Sequence, residues 1–142
     1  MKMKRILYFN LALAFLLFPK CSSDTEEIPN VYVNFEIDLN SSDYAHLQSV
    51  GNSLLVTGGY KGIIIYHQTS GFFAAYERAC PNNPYHERVT LHPSFSIAQD
   101  SVCGSKFSLS LEGRLLEGPS PYPLKMYRTF YNAATQSLLV FN

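Results

Sequence analysis

The sequence contains no tryptophan, and only 15% of its 142 residues are charged. Acidic and basic residues are equal in number overall, but from Cys21 onward there are 11 acidic residues and 7 basic ones. Because no basic stripe is available to neutralise phosphates, nucleic-acid binding is disfavoured. The hydrophobic fraction of 46% and the aromatic fraction of 14% are ample for the core of one domain.

Recognisable catalytic motifs are also lacking. The chain has no Ser/His/Asp motif, no P-loop and no dinucleotide-binding fingerprint. Hydroxyl-bearing residues are plentiful, but no spacing singles one out as a nucleophile. There is no internal repeat and no sign of a second domain. The sequence therefore predicts a non-catalytic protein.

No apolar run reaches the length of about 20 residues that a transmembrane helix needs. The mostly apolar run from Ile6 to Phe18 is shorter, and it follows the basic segment Met1 to Arg5. This arrangement is typical of a secretory signal sequence. We therefore expect a signal peptide over residues 1–20 and a mature chain that begins at Cys21.

Cys21 is the predicted lipidation site. The residues Pro19 and Lys20 before it depart from the small residues that a lipobox prefers, but the acidic stretch after it resembles the start of mature lipoproteins in Bacteroidetes-type bacteria. That resemblance implies a cell-envelope protein anchored in the outer membrane, of a type associated with surface display. Residues 21–30 would be an acidic tether. The alternative is a secreted protein with an unpaired cysteine.

Residues 31–142 predict an all-β domain. Val31, Val33, Phe35 and Ile37 alternate with polar residues, which indicates a half-buried strand. Residues 62–66 include three consecutive isoleucines and indicate a buried strand, and residues 67–71 are predicted to form a hairpin loop. Further short strands follow at close intervals, separated by turn signals, which favours an antiparallel sandwich or barrel. The proline-containing run 118–123 cannot supply a central strand, because proline lacks the backbone donor.

Two polar loops, each with one cysteine, resemble the cluster-binding loops of the Rieske [2Fe–2S] family. In that family, loop one reads Cys-x-His and loop two reads Cys-x-x-His-Gly-Ser-x-Phe. The frame fits from Cys80, with Gly104, Ser105 and Phe107 in their family places. The later run 118–125 is similar to the Gly-Pro-Ala-x-x-Pro-Leu segment of Rieske proteins. The resemblance covers residues 60–141 and implies a Rieske-like fold with two apposed loops at one end.

The cluster-ligand positions depart from the family pattern. Rieske centres use two cysteines on one iron and two histidines on the other. Cys80 keeps its residue type, whereas Asn82 and Cys103 stand in histidine positions and Asp100 stands in a cysteine position. An amide is a poor iron ligand, and a carboxylate does not replace a thiolate on a sulfide-bridged cluster. We therefore expect no cofactor, with an altered 2Fe-2S cluster as the alternative.

The resemblance also implies that the two cysteine loops face each other. In an oxidising compartment, Cys80 and Cys103 would then favour a disulfide, which would stabilise the fold by roughly 3 kcal/mol. Free thiols and a bound metal are the alternatives. His86 and His92 would complete the ligand types of a zinc site, but the spacing matches no known zinc motif and surface histidines are favoured.

Asp100 is open to three interpretations. It could be a hard metal ligand, a catalytic acid, or a turn residue that binds backbone N–H groups of its own loop. The last is the commonest role for an aspartate before a serine. The sequence as a whole predicts a lipid-anchored, cell-envelope protein with a structural or binding role and an undetermined protein partner. The alternative is an electron-transfer protein with altered cluster ligands.

Overall fold

The computed structural model describes residues 27–86 and 88–142. The predicted signal peptide, the predicted lipidation site Cys21 and most of the predicted tether lie outside the described residues. Of the tether, residues 27–30 are described, and Ile28 is buried against the domain. In the described part of the chain, no helix has the length and apolar character needed to cross a membrane.

Short strands dominate the domain, and the only helices among the described residues are two short 3₁₀ helices. The strands are β1 (Asn34–Asp38), β2 (Ser53–Val56), β3 (Ile63–Thr69), β4 (Phe72–Glu77), β5 (Thr90–Leu91), β6 (Ile97–Gln99), β7 (Lys106–Ser108), β8 (Arg114–Glu117), β9 (Met126–Asn132) and β10 (Ser137–Phe141). The 3₁₀ helices span Ser42–Gln48 and Leu109–Leu111. The prediction of an all-β fold is confirmed.

Six of the strands form one curled antiparallel sheet in the order β1-β10-β9-β4-β3-β2. One face of the sheet buries Ile63 and Ile65 together with residues of β1 and β10. The opposite side buries Ile64 and Tyr66 under the second sheet. The isoleucine run of β3 is therefore apolar without alternation because both of its faces are covered.

The second sheet has four antiparallel strands in the order β5-β6-β7-β8. Its core residues Ala98 and Phe107 pack, with Leu109, against Tyr76 and other residues of the large sheet. The Tyr76 hydroxyl donates a hydrogen bond of 2.7 Å to the Leu109 carbonyl. Loop one follows β4 and loop two connects β6 to β7, so the packing of the two sheets brings the loops to the same end of the domain.

Two local expectations differ from the structure in their boundaries. The predicted strand from Val31 to Ile37 pairs only from Asn34, because its partner β10 ends at Phe141 opposite that residue. The predicted loop at residues 67–71 is reduced to a turn at residues 70–71, because β3 continues to pair with β4 as far as Thr69. The run 118–123 contains no strand, as its prolines predict.

Candidate functional site

Cys80 and Cys103 meet where loop one and loop two come together. Their Sγ atoms are 3.8 Å apart, and Cys80 is buried whereas Cys103 is partly exposed. A disulfide requires a sulfur separation of about 2.05 Å. The predicted disulfide is therefore not present in the structure, which contains both cysteines as free thiols.

Asp100 joins the two cysteines to form a cluster of three chemically reactive side chains. One ligand atom from each of Cys80, Asp100 and Cys103 lies within 4.8 Å of the other two. The Asp100 side chain is 2% exposed. Its Oδ1 accepts hydrogen bonds from the backbone N–H groups of Val102 at 2.7 Å and Cys103 at 3.1 Å. Of the three interpretations of Asp100, these hydrogen bonds correspond to the one in which it binds the backbone of its own loop.

The electrostatics of the cluster keep Asp100 ionised and Cys80 protonated. Burial raises the pKa of Asp100, but hydrogen bonds from the Cys80 thiol and from the N–H groups of Val102 and Cys103 outweigh it, so the net pKa is below its ordinary value. Burial raises the pKa of the Cys80 thiol, and the hydrogen bond to Asp100 raises it further. The pair therefore carries a single negative charge, on Asp100, because ionising the Cys80 thiol as well would bury a second charge of the same sign.

Ser105 connects the cluster to the segment that follows β8. The Cys103 thiol donates to the Ser105 Oγ at 3.1 Å, and the backbone N–H of Ser120 donates to the same oxygen at 3.2 Å. Ser105 is fully buried. Gly118 crosses directly over this residue, since a Cβ added there would lie 2.5 Å from the Ser105 Cα. The proline-containing run thus packs on loop two, and the Ser105 hydroxyl oxygen hydrogen-bonds to both segments.

The other predicted ligand candidates lie outside this cluster. Asn82 is exposed, and it acts through its backbone, which hydrogen-bonds the Cys80 sulfur and lowers the pKa of that thiol. His86 and His92 are both exposed. The His86 Nε2 lies 3.2 Å from the Asn83 amide nitrogen, and the His92 Nδ1 lies 3.2 Å from the Ser94 hydroxyl. The histidines do not complete a zinc site with the two cysteines.

A [2Fe–2S] cluster of the kind implied by the family resemblance does not fit these donors. It needs two thiolates on one iron and two imidazoles on the other, whereas the described cluster consists of two thiols and a carboxylate. Cys80 stands in a position that serves one iron and Cys103 in a position that serves the other. Terminal ligands on different irons point away from each other, and a sulfur separation of 3.8 Å is too short for that arrangement.

Glu77 is a buried carboxylate that sequence reasoning missed. It is 0% exposed and accepts hydrogen bonds from the N–H groups of Tyr60 at 2.6 Å, Lys61 at 2.8 Å and Ala79 at 3.0 Å. The Tyr127 hydroxyl donates a fourth bond of 2.6 Å. Its position at the end of an apolar strand could have indicated a buried carboxylate. A glutamate beside an arginine, here Arg78, is however also typical of a surface position.

The network around Glu77 fixes the start of loop one. Burial raises the pKa of Tyr127, and the hydrogen bond and negative charge of Glu77 raise it further. Gly59 leaves the space that the carboxylate occupies, since a Cβ there would clash with the Glu77 Oε2. Because both of its oxygens accept hydrogen bonds, the Glu77 carboxylate is a structural group that joins residues 60–61, residues 77–79 and Tyr127. It is not part of the cysteine cluster.

Comparison of the sequence with models of known protein families found no match. Comparison with curated proteins found no match either.

Proposed function

We propose that the chain is a lipid-anchored cell-envelope protein whose Rieske-like β domain has lost its iron–sulfur ligands and has a structural or binding role. The observation that supports this best is the cluster of Cys80, Asp100 and Cys103 at the meeting point of the two loops. Two of the four positions that would hold iron carry side chains unsuited to it, Asn82 and Asp100.

In this proposal, hydrogen bonds to two buried carboxylates stabilise the loops in place of an iron–sulfur cluster. Asp100 closes loop two by binding the N–H groups of Val102 and Cys103. Glu77 anchors the entrance to loop one through the N–H group of Ala79. The two loops then keep their shapes without a metal cluster, because one buried carboxylate closes loop two on itself and another anchors the start of loop one.

A binding role is supported by the surface beside the loops. Tyr85 is 59% exposed and Val102 is 54% exposed, and both line a groove that also contains Lys61 and Arg88. Tyrosine and arginine are enriched at protein–protein interfaces, and this groove offers Tyr85 and Arg88. We expect this groove to be where a partner contacts the domain.

The lipid anchor is tested by Cys21→Ala. In cells of the native type, the unchanged protein should incorporate a labelled fatty acid and sediment with the outer membrane. Cys21→Ala should lose the label completely and leave the membrane fraction, because the acyl chains provide the apolar area that holds the protein there. Cys103→Ala serves as the matched control and should keep the label. Persistent labelling of Cys21→Ala would exclude this anchor.

The loss of the iron ligands is tested on protein purified without oxygen from iron-supplemented cells. We expect a colourless sample that contains neither iron nor acid-labile sulfide, because only two of the four cluster positions carry thiols. An electron-transfer protein with altered ligands would instead show visible absorption that bleaches on reduction, together with a paramagnetic signal. That second result would replace the proposed function by the electron-transfer alternative.

A further inference from the structure

The spacing of the two sulfur atoms is that of neighbouring ligands on one metal ion. Sulfurs about 2.3 Å from a tetrahedral zinc ion lie about 3.8 Å from each other. The Cys80 and Cys103 Sγ atoms are separated by 3.8 Å. The separation of the two sulfurs therefore already matches that of two ligands on one ion.

A third ligand is available from Asp100. Its Oδ1 is held by two backbone N–H groups, which leaves the second carboxylate oxygen for another contact. Carboxylate oxygens bind zinc at about 2.0 to 2.2 Å, which puts them about 3.5 Å from a sulfur on the same ion. The three ligand atoms already lie within 4.8 Å of one another, so side-chain shifts of about 1 Å complete the site.

We propose that Cys80, Asp100 and Cys103 bind a single zinc-type divalent cation, with water in the fourth coordination position. The inference deepens the binding role proposed above and rests on the loss of the iron–sulfur ligands. Two thiolates select a soft or borderline cation over magnesium or calcium. The partly exposed side of Cys103 gives the cation and the water their access.

Exchange of two protons for a divalent cation leaves the net charge of the buried site unchanged. Before binding, Asp100 contributes one negative charge and the two thiols are neutral. On binding, each thiol releases its proton to solvent, and two thiolates, one carboxylate and a divalent cation again leave one negative charge. No electron is transferred, and the net charge of the site is the same before and after binding.

Ser105 is placed to support the bound form. Its Oγ accepts the N–H of Ser120 at 3.2 Å and lies 3.1 Å from the Cys103 sulfur. Once Cys103 has lost its proton, the Ser105 hydroxyl can turn its own hydrogen towards the thiolate. Hydrogen bonds of this kind orient metal-binding groups and tune their affinity.

The test is a titration of the full-length chain with Co²⁺ under anaerobic, reducing conditions, after a thiol assay has shown Cys80 and Cys103 to be reduced. We expect saturation at one equivalent, with thiolate-to-cobalt charge-transfer bands and the intense visible bands of tetrahedral cobalt. One equivalent of Zn²⁺ should displace the cobalt. Only the weak bands of octahedral cobalt, or no saturation, would overturn the proposal.

Matched variants separate the three ligands. Cys80→Ser and Cys103→Ser should each remove the saturable charge-transfer bands. Asp100→Asn keeps an oxygen for the backbone N–H groups, and we expect it to bind Co²⁺ at least about tenfold more weakly. Asp43→Asn, at an exposed aspartate, and Cys21→Ser should change nothing. Equal affinity in Asp100→Asn would remove the carboxylate from the site.

Melting temperatures without metal show whether each variant is folded. The failure of this inference is distinguishable from the failure of the proposed function. Iron and labile sulfide in the native protein would overturn both, whereas an iron-free protein that does not bind Co²⁺ at the cysteines would overturn only the cation site.

Discussion

Replacing Glu77 with alanine should destabilise the protein by about 3 to 5 kcal/mol, enough to unfold much of a typical small domain. The change removes the acceptor for four donors, three backbone N–H groups and the Tyr127 hydroxyl. A buried donor that loses its partner costs about 1 to 3 kcal/mol. Water entering the cavity would recover part of this, which is why the expected total is below the sum over four donors.

The measurement is chemical denaturation followed by circular dichroism. Glu36→Ala is the matched control, because Glu36 is exposed on β1, and it should change the free energy of unfolding by no more than about 0.5 kcal/mol. Tyr127→Phe should lower the free energy of unfolding by about 1 to 2 kcal/mol, since it removes the hydroxyl that is one of the four donors to Glu77. A Glu77→Ala protein as stable as Glu36→Ala would show that the carboxylate does not organise the start of loop one.

Replacing Gly118 with alanine should cost about 2 to 5 kcal/mol and disturb the cysteine cluster. Gly118 has φ of +108°, and an added Cβ would lie 2.5 Å from the Cα and 2.9 Å from the backbone nitrogen of Ser105. A side chain that meets backbone cannot be relieved by a rotamer change. Loop two must therefore move, and Cys103 moves with it.

Gly51→Ala provides the control for the backbone conformation alone. Gly51 has φ of +88°, with no atom within 4 Å of an added Cβ, so we expect a loss of about 1 to 2 kcal/mol from the left-handed conformation. The difference in unfolding free energy between the two variants measures the contact with Ser105. Gly118→Ala should also bind Co²⁺ more weakly than Gly51→Ala. Equal stability and equal cobalt affinity would contradict the close crossing of the two segments.

Much of the domain could be predicted from local pattern. The isoleucine run of β3 and the alternation in β1 identified strands because side chains in a strand alternate between two faces. The prolines of 118–123 excluded a strand because they lack a donor. The role of Asp100 also followed from its place before Ser101, since an aspartate side chain reaches the N–H groups two and three residues later.

The chemical state of the cysteines could not be predicted in the same way. The separation of the two sulfurs depends on how β4 and β6 pack, and a change of about 2 Å distinguishes a disulfide from two thiols. The role of Glu77 was hidden for a related reason. Its donors come from residues 60, 61, 79 and 127, which only the folded sheet brings together.

The sequence alone established an all-β domain, the two cysteine loops, and residue types at positions 82 and 100 that do not suit an iron–sulfur cluster. These are properties of neighbouring residues and of their side-chain chemistry. Only the tertiary structure decided that two thiols and a carboxylate converge within 4.8 Å of one another, and that a second carboxylate, Glu77, is buried at the start of loop one. Distances between groups far apart in the chain depend on the packing of both sheets, and no local pattern encodes them.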